Sequence, residues 1–267
     1  MGEFLFKAAL LLYVVGVIHS GAAFVTKRDG LVRVALAVVA TAFVFHTCFL
    51  VYRGFEKSFF PLVGLRDALA FWAWAVTLCL LIAYRRYQVR AIGLFLLPLV
   101  TVLMLGAVFI KTSPVPDILR SSWVYFHSTF LLLAYGMFFV TFVAAILYLL
   151  QERELKLKRL RTFFDRLPSL HALDELFQIF LVWGFFFMTA GLLAGVIWAE
   201  QQWVSGWHDD PKVIAAFVTW TIYLVLLYLR LTAGWRGKRA AVMSLVGFLS
   251  ILFTFLGASF LSGLHKF

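Results

Sequence analysis

Charged residues are scarce in this chain of 267 residues. Asp, Glu, Lys and Arg make up 14% of it, whereas hydrophobic residues make up 63% and aromatic residues 18%. A soluble globular domain carries roughly a quarter of its residues as charges. Such a composition excludes an ordinary soluble enzyme, and the sequence predicts an integral membrane protein.

Acidic residues are scarcer than basic ones, with 13 Asp and Glu against 24 Lys and Arg and a net charge of +11. An excess of this kind can indicate nucleic-acid binding. Here, however, the basic residues lie in short clusters between apolar runs rather than on one polar face. We interpret them as determinants of membrane topology and expect no nucleic-acid partner.

Several catalytic patterns are absent. The two cysteines, Cys48 and Cys79, form no Cys-x-x-Cys pair, which argues against thiol redox chemistry. There is no phosphate-binding glycine loop, no nucleophile elbow and no zinc-protease pattern. Nor is there an internal repeat of the kind that many transporters carry, which argues against a small-molecule transporter.

Long apolar runs predict eight membrane spans, because about twenty apolar residues cross a bilayer. The first run contains Glu3 and is followed by no convincing cleavage site, so it reads as an uncleaved span. The spans leave no room for a soluble domain and predict one all-α transmembrane domain over residues 1–267. Their approximate bounds are 4–25, 31–52, 66–84, 91–110, 123–150, 173–200, 211–231 and 240–263.

The distribution of Lys and Arg predicts the orientation of these spans. Four connections carry sixteen of the 24 basic residues, and the positive-inside rule places those connections in the cytoplasm. With eight spans, both termini then lie outside. The basic stretch 151–166 is interpreted as a cytoplasmic helix extension near anionic headgroups. The sixteen residues are Lys27, Arg28, Arg33, Arg85, Arg86, Arg90, Arg153, Lys156, Lys158, Arg159, Arg161, Arg166, Arg230, Arg236, Lys238 and Arg239.

A polar, tryptophan-rich segment, residues 195–212, separates the sixth and seventh spans and lies outside in this topology. It contains Trp198, Trp203 and Trp207, a flat aromatic surface that suits a planar apolar ligand. If the loop is helical, Trp203 and Trp207 share one face. Interfacial anchoring is the alternative reading of each tryptophan. Asp210 before Pro211 predicts a capped helix start.

The histidines are the strongest metal ligands in so apolar a chain. His127 begins the fifth span and His265 ends the eighth, so both lie at the depth of the tryptophan segment. Two neutral imidazoles facing each other across a pocket would supply both axial ligands of a heme iron. The alternative is a pair of ordinary interfacial side chains. His46 and His19 lie at different depths within the first two spans.

Residues 122–265 resemble the cytochrome c assembly family of membrane proteins, of the CcsA, ResC and CcmC type. The resemblance rests on the tryptophan-rich segment with its Asp-Pro-Lys, on a histidine at the start of a span, and on a Gly-Leu-His near the carboxyl end. The matching residues are His127, Leu173, Asp174, Gly184, Phe185, Thr189, Gly191, Gly195, Trp198, Ala199, Trp203, Trp207, Asp210, Pro211, Lys212, Trp220, Tyr223, Arg230, Gly263, Leu264 and His265.

Some positions depart from the family pattern. Asp209, Val213 and Ala215 replace a Trp, a Glu and a Trp, so the motif is degenerate and the likeness is closest to HemX-like members. Tyr228 stands where the family has a transmembrane histidine. A tyrosine can bind ferric heme, so Tyr228, His46 and His19 are secondary candidate ligands.

The resemblance implies a heme-handling protein of cytochrome c biogenesis in a bacterial-type cytoplasmic membrane. Such a protein presents heme b at the outer face to a partner, for attachment to apocytochrome c. His127 and His265 would then be the axial ligands. Trp198, Trp203 and Trp207 would support the macrocycle, while Asp210 and Lys212 would fix the loop or meet the propionates.

Whether the chain is itself an enzyme stays open at this stage. It has no soluble thiol-handling domain, so a synthase role requires another membrane subunit. The alternative function is a heme-free membrane scaffold or regulator that keeps the fold with a decayed heme site.

Overall fold

The computed structural model describes residues 1–26, 28–57, 64–87, 92–110, 121–157, 167–202 and 206–257. These ranges contain eight long helices and no β-strand. Each helix is long and apolar enough to cross a membrane. The predicted all-α class and the eight spans are therefore confirmed. The helices are α1 (Gly2–Thr26), α2 (Asp29–Lys57), α3 (Leu65–Tyr87), α4 (Ile92–Phe109), α5 (Ser122–Leu157), α6 (Leu170–Gln202), α7 (Pro211–Thr232) and α8 (Lys238–Leu252).

Large apolar side chains cover the outside of the helices as well as their packed sides. Phe186, Leu193 and Val218, for example, are more than half exposed. In water such an apolar surface would drive aggregation, whereas in a bilayer it faces lipid tails. Together with the spans, this surface makes the chain a multi-pass membrane protein.

The helices pack into two compact units, which are described one at a time. The first unit comprises residues 1–114 and 153–172, and the second comprises residues 115–152 and 173–267. Helices α1 to α4 thus belong to the first unit. Helices α7 and α8, with most of α5 and α6, belong to the second. The single domain predicted over residues 1–267 is a statement about the whole chain and stays a prediction.

In the first unit α1 and α2 run antiparallel. The ring of Phe6 near the start of α1 lies 5.0 Å from that of Phe49 near the end of α2. Further along α1, Gly16 lies so close to Val39 that a Cβ would be 2.9 Å from its Cγ2. A glycine is needed there because it lets the two helices approach.

The second unit is organised around the pairing of α5 with α6. Three glycines on α6, Gly184, Gly191 and Gly195, meet three residues on α5, which are Phe138, Leu131 and His127 in the same order. Each step forward along α6 is matched by an equal step back along α5, which is the register of an antiparallel pair. The three glycines thus allow α5 and α6 to approach each other closely.

Helix α7 presents one buried stripe to its neighbours in this unit. Its buried residues are Thr219, Tyr223, Leu226 and Arg230, at intervals of three and four. The ring of Tyr223 stacks on Phe138 of α5 at 3.7 Å. On its other side, a Cβ on Gly247 of α8 would be 2.9 Å from Tyr223 Cζ. Tyr223 therefore lies between two helices and fixes α7 against both.

Helix α5 extends beyond its predicted span, and α8 ends in an irregular turn. Helix α5 spans 36 residues, about 54 Å at 1.5 Å per residue, which exceeds the roughly 30 Å of the hydrocarbon core. The predicted helical extension after residue 150 is confirmed as far as Leu157, and residues 158–166 lie outside the described ranges. Helix α8 continues into a π-helical turn, Phe253–Gly257. Such turns are frequent at functional sites.

Candidate functional site

His127 lies at the start of α5, where it is held against α6. Its Nδ1 is 2.9 Å from the backbone oxygen of Gly191. Because a carbonyl oxygen only accepts hydrogen bonds, Nδ1 must carry the proton in this contact. The neutral imidazole then has its lone pair on Nε2. This is the tautomer that histidine adopts as an iron ligand when a backbone carbonyl orients the ring.

The ring of His127 also fills the space above Gly195. A Cβ added to Gly195 would lie 2.7 Å from His127 Cε1 and closer still to Nδ1. Such distances are far inside van der Waals contact, so any larger residue at 195 would displace the imidazole. We refer to His127, Gly191 and Gly195 together as the His127 cradle. The cradle fixes the ring by one hydrogen bond and one steric contact.

Trp198 follows Gly195 by three residues on α6 and is 7% exposed. The helix ends at Gln202, and Trp203 lies outside the described residues. Beyond them Gly206 has a left-handed backbone, φ 84°, which interrupts any helix between 198 and 207. Gly206 therefore rules out the continuous helix on which Trp203 and Trp207 would have shared one face.

Trp207 begins a short 3₁₀ turn, Trp207–Asp209, which leads directly into α7. Its indole is half-buried and meets the imidazole of His208 edge to face, with ring centroids 5.9 Å apart. His208 itself is exposed, and its Nε2 lies 3.6 Å from Oδ2 of Asp209. The turn therefore carries one indole, one imidazole and one carboxylate.

Asp210 and Pro211 start α7 as the sequence predicts. Asp210 has an extended backbone and is 5% exposed, and its Oδ1 accepts a 2.9 Å hydrogen bond from the backbone N–H of Lys212. Pro211 takes the first helical position, where no N–H is needed. The predicted capped start is confirmed. Asp210 thus fixes the loop to the helix, and Lys212 is the cation of the first turn.

A second contact ties α7 to α6 further along. The indole Nε1 of Trp220 donates to Oγ1 of Thr189 at 3.0 Å, and its ring stacks on Phe185 at 5.7 Å. These three residues belong to the pattern quoted above for the family resemblance. The structure gives them a common task, which is to hold the helix that carries Lys212.

Arg230, at the other end of α7, forms a buried clamp, whereas the sequence pattern placed it among the basic residues of a cytoplasmic connection. Its Nη2 lies 2.8 Å from Asp174 Oδ1 and 3.1 Å from the Asp174 backbone oxygen, while its Nε donates to Gln178. The guanidinium also lies over the ring of Phe177, at 4.8 Å. An arginine within an apolar span is the signal that could have revealed this clamp.

The secondary candidate ligands lie elsewhere. His46 is fully buried in the first unit, with its Nδ1 3.2 Å from the hydroxyl of Tyr13. His19, also in the first unit, donates from Nδ1 to the backbone oxygen of Val15 at 2.9 Å. Tyr228 is 62% exposed and lies off the buried stripe of α7. None of the three belongs to the His127 cradle, and their roles stay predictions.

The site residues thus divide into three groups. His127 and Trp198 are positioned by α5 and α6, whereas Trp207, Asp210 and Lys212 are positioned by the turn before α7. Trp203 and His265 lie outside the described residues. No group of three or more His, Cys, Asp or Glu side chains in the described part could hold a bare metal ion. A heme iron, however, needs only one or two axial ligands from the protein.

Comparison with known proteins agrees with this architecture. The family described as Cytochrome C assembly protein matches residues 62–265. The cytochrome c biogenesis protein CcsA of Prochlorococcus marinus strain MIT 9301 is 28% identical, over 94% of this chain and 88% of its own length. CcsA of Porphyra purpurea is 30% identical, over 89% of this chain and 84% of its own.

A solved structure shares the fold. The cytochrome c heme lyase CcmF superposes with a TM-score of 0.69 at 18% identity. The likeness covers 99% of this chain and 50% of the CcmF chain, so the present chain spans half the length of that structure. At this identity the comparison concerns the fold alone.

The eight apolar helices make the chain a multi-pass membrane protein, and the match to the family model and to the CcsA relatives makes it one of cytochrome c biogenesis. The match over residues 62–265 covers most of the chain. The chain belongs to the cytochrome c assembly protein family.

Proposed function

We propose that this protein binds heme b at the outer face of a bacterial-type cytoplasmic membrane and presents it to a partner for attachment to apocytochrome c. The observation that carries the proposal is the His127 cradle. An imidazole whose Nδ1 donates to the Gly191 oxygen is in the tautomer that binds iron through Nε2. The general role of the protein in cytochrome c biogenesis follows from its family.

The chain's own residues would divide the work around the heme. His127 and His265 would hold the iron, and Trp198, Trp203 and Trp207 would support the macrocycle. Lys212 attracts a propionate. Asp210, whose Oδ1 accepts from the backbone of Lys212, holds the turn rather than the ligand. When bound, heme supplies the vinyl groups to which apocytochrome thiols attach.

The proposal also covers location and partners. Sixteen of the 24 basic residues lie in four connections, which the positive-inside rule assigns to the cytoplasm. The tryptophan segment and both termini then lie outside. Attachment would also involve a further membrane subunit, which would handle the apocytochrome thiols. Heme lyase is the name of CcmF. For the present chain we propose at most the role of one subunit of such an enzyme.

The test is an absorption spectrum of the detergent-purified protein, oxidised and reduced, before and after hemin is added. We expect a sharp Soret band with the reduced bands of bis-histidine heme, lost in His127→Ala and in His265→Ala. His171→Ala, which removes an exposed histidine at the start of α6, is the matched control and keeps the spectrum.

Two results would contradict the proposal. A protein that stays colourless after hemin is supplied would favour the alternative, a heme-free scaffold or regulator with a decayed site. A heme spectrum that persists in both variants would show that neither His127 nor His265 is required to bind the iron.

A further inference from the structure

The short turn between α7 and α8, residues 233–237, is shaped by two glycines. Gly234, with φ 64°, follows the end of α7, and the N–H of Trp235 then donates to the backbone oxygen of Leu229 at 3.2 Å. Gly237, with φ 63°, precedes α8, where a Cβ would lie 3.0 Å from the hydroxyl of Tyr148. Residues with a side chain rarely adopt such a backbone. The turn therefore has a defined conformation, and so do the starting points of the side chains around it.

Three basic side chains surround this turn and have little acidic charge near them. Arg236, Lys238 and Arg239 are exposed, and residues 211–267 contain no Asp or Glu. Oδ2 of Asp174 lies 4.0 Å from Nε of Arg236, but the other oxygen of that carboxylate already binds the clamp arginine of α7 at 2.8 Å. Within the described ranges, no carboxylate is within ion-pair distance of Lys238 or Arg239. We call Arg236, Lys238 and Arg239 the cationic cluster.

A tryptophan accompanies the cationic cluster. The ring of Trp235 is half-buried, and Cζ of Arg239 lies 6.0 Å from its centroid. Tryptophan side chains favour the headgroup layer of a bilayer, where the ring meets both lipid tails and water. Because the turn also joins two helices that can each cross a membrane, the cluster lies at the depth of lipid headgroups.

An exposed apolar stripe continues from the cluster along the same face of α8. Its residues follow Lys238 at steps of four, four, three and four, which keeps them on one side of the helix. The stripe rises about 16 Å at 1.5 Å per residue, roughly half of the 30 Å hydrocarbon core and thus the depth of one leaflet. The members of this α8 stripe, each at least 45% exposed, are Val242, Val246, Leu249 and Phe253.

We propose that this surface binds an anionic phospholipid such as phosphatidylglycerol. The phosphate meets the cationic cluster, and an acyl chain lies along the α8 stripe. A zwitterionic lipid fits less well, because its own ammonium group is repelled by three cations. The predicted topology places the turn at the cytoplasmic face, where basic side chains close to a bilayer attract anionic lipids. The inference is independent of the proposed heme site, since it uses none of its residues.

The experiment counts lipids bound to the full-length protein, purified in detergent, by native mass spectrometry. Phosphatidylglycerol and phosphatidylcholine with the same acyl chains are titrated separately. The test variant combines Arg236→Gln, Lys238→Gln and Arg239→Gln. A second variant, Arg236→Lys with Arg239→Lys, changes the same turn but keeps its charge.

The matched control removes the same number of charges from the first unit. It combines Arg33→Gln, Arg85→Gln and Arg86→Gln, which are exposed cations assigned by the sequence to the same side of the membrane. A further arm adds sn-glycerol 3-phosphate, which carries the phosphate of the lipid without its tails. This arm separates a lipid site from a site for a free phosphate compound.

We expect the wild-type protein to bind phosphatidylglycerol more tightly than phosphatidylcholine. The test variant should lose affinity for phosphatidylglycerol by about fivefold for each cation removed, toward the affinity for phosphatidylcholine. The charge-keeping variant and the first-unit control should retain the wild-type preference. Glycerol 3-phosphate in tenfold excess over the lipid should not displace it, because it cannot occupy the α8 stripe.

Four results would overturn the inference. Equal affinity of the wild type for the two lipids would show that the cluster selects no headgroup. Equal losses in the test variant and the first-unit control would assign the preference to overall surface charge. A loss in the charge-keeping variant as large as that in the test variant would assign it to the fold of the turn. Displacement by glycerol 3-phosphate would make the cluster an anion site with no role for the stripe.

Discussion

Gly195→Ala is the sharpest test of the His127 cradle. The new Cβ would lie 2.7 Å from His127 Cε1 and nearer to Nδ1, so the ring must leave its place and lose the 2.9 Å bond to the Gly191 oxygen. Overpacking of this kind costs about 1–3 kcal/mol and the lost hydrogen bond about 1 kcal/mol. Because the bond orients the ligand, we expect hemin affinity to fall about 10–100-fold.

The assay is a hemin titration of the purified protein, followed at the Soret band, together with a thermal melt. Gly184→Ala is the matched control, because its Cβ would lie 2.8 Å from Phe138 Cε1 in the same helix pair but away from His127. It should lower the melting temperature and keep hemin affinity. Wild-type affinity and spectrum in Gly195→Ala would refute the reasoning.

Three further predictions follow from other contacts. Asp210→Ala removes the acceptor of the Lys212 backbone N–H and should destabilise the protein by about 1 kcal/mol in a thermal melt. Asp210→Asn keeps an acceptor and should be nearly neutral. Equal losses of stability in the two variants would contradict the capping role. Arg230→Met removes the contacts to Asp174 and Gln178 and leaves Asp174 with Arg236, 4.0 Å away, as its cation; because Asp174 is partly exposed, we expect a loss of about 1–3 kcal/mol in a thermal melt. Arg230→Lys should restore little of this loss because an ammonium lacks the planar fork, and full rescue by Lys would argue for charge alone. In a cysteine-free background, His208→Cys should react with an impermeant maleimide in intact cells and Arg153→Cys should not; the reverse pattern would invert the topology.

The sequence predicted the helices well because each span is encoded locally. An apolar run of about twenty residues needs no partner to be recognised, and Asp210-Pro211 specifies a helix start from its own backbone chemistry. These features depend on residues that are adjacent in the chain.

The contacts across the site depend on register, which the sequence does not display. His127 and Gly195 are far apart along the chain, and only the antiparallel pairing of α5 with α6 brings them together. The same holds for Arg230 and Asp174. The 3₁₀ turn before α7 follows the left-handed backbone of Gly206, φ 84°, which the apolar pattern of the sequence does not reveal.

The glycine contacts of α6 have a consequence for when entropy is lost. A free surface histidine samples several rotamers, and immobilising such a side chain on binding costs about 0.5–1.5 kcal/mol. In this protein the Gly195 contact and the Gly191 oxygen hold the His127 ring as soon as α5 meets α6. The entropy cost of ordering the His127 side chain is therefore part of the free energy of folding. Ligand binding does not include that cost, because the imidazole is already ordered.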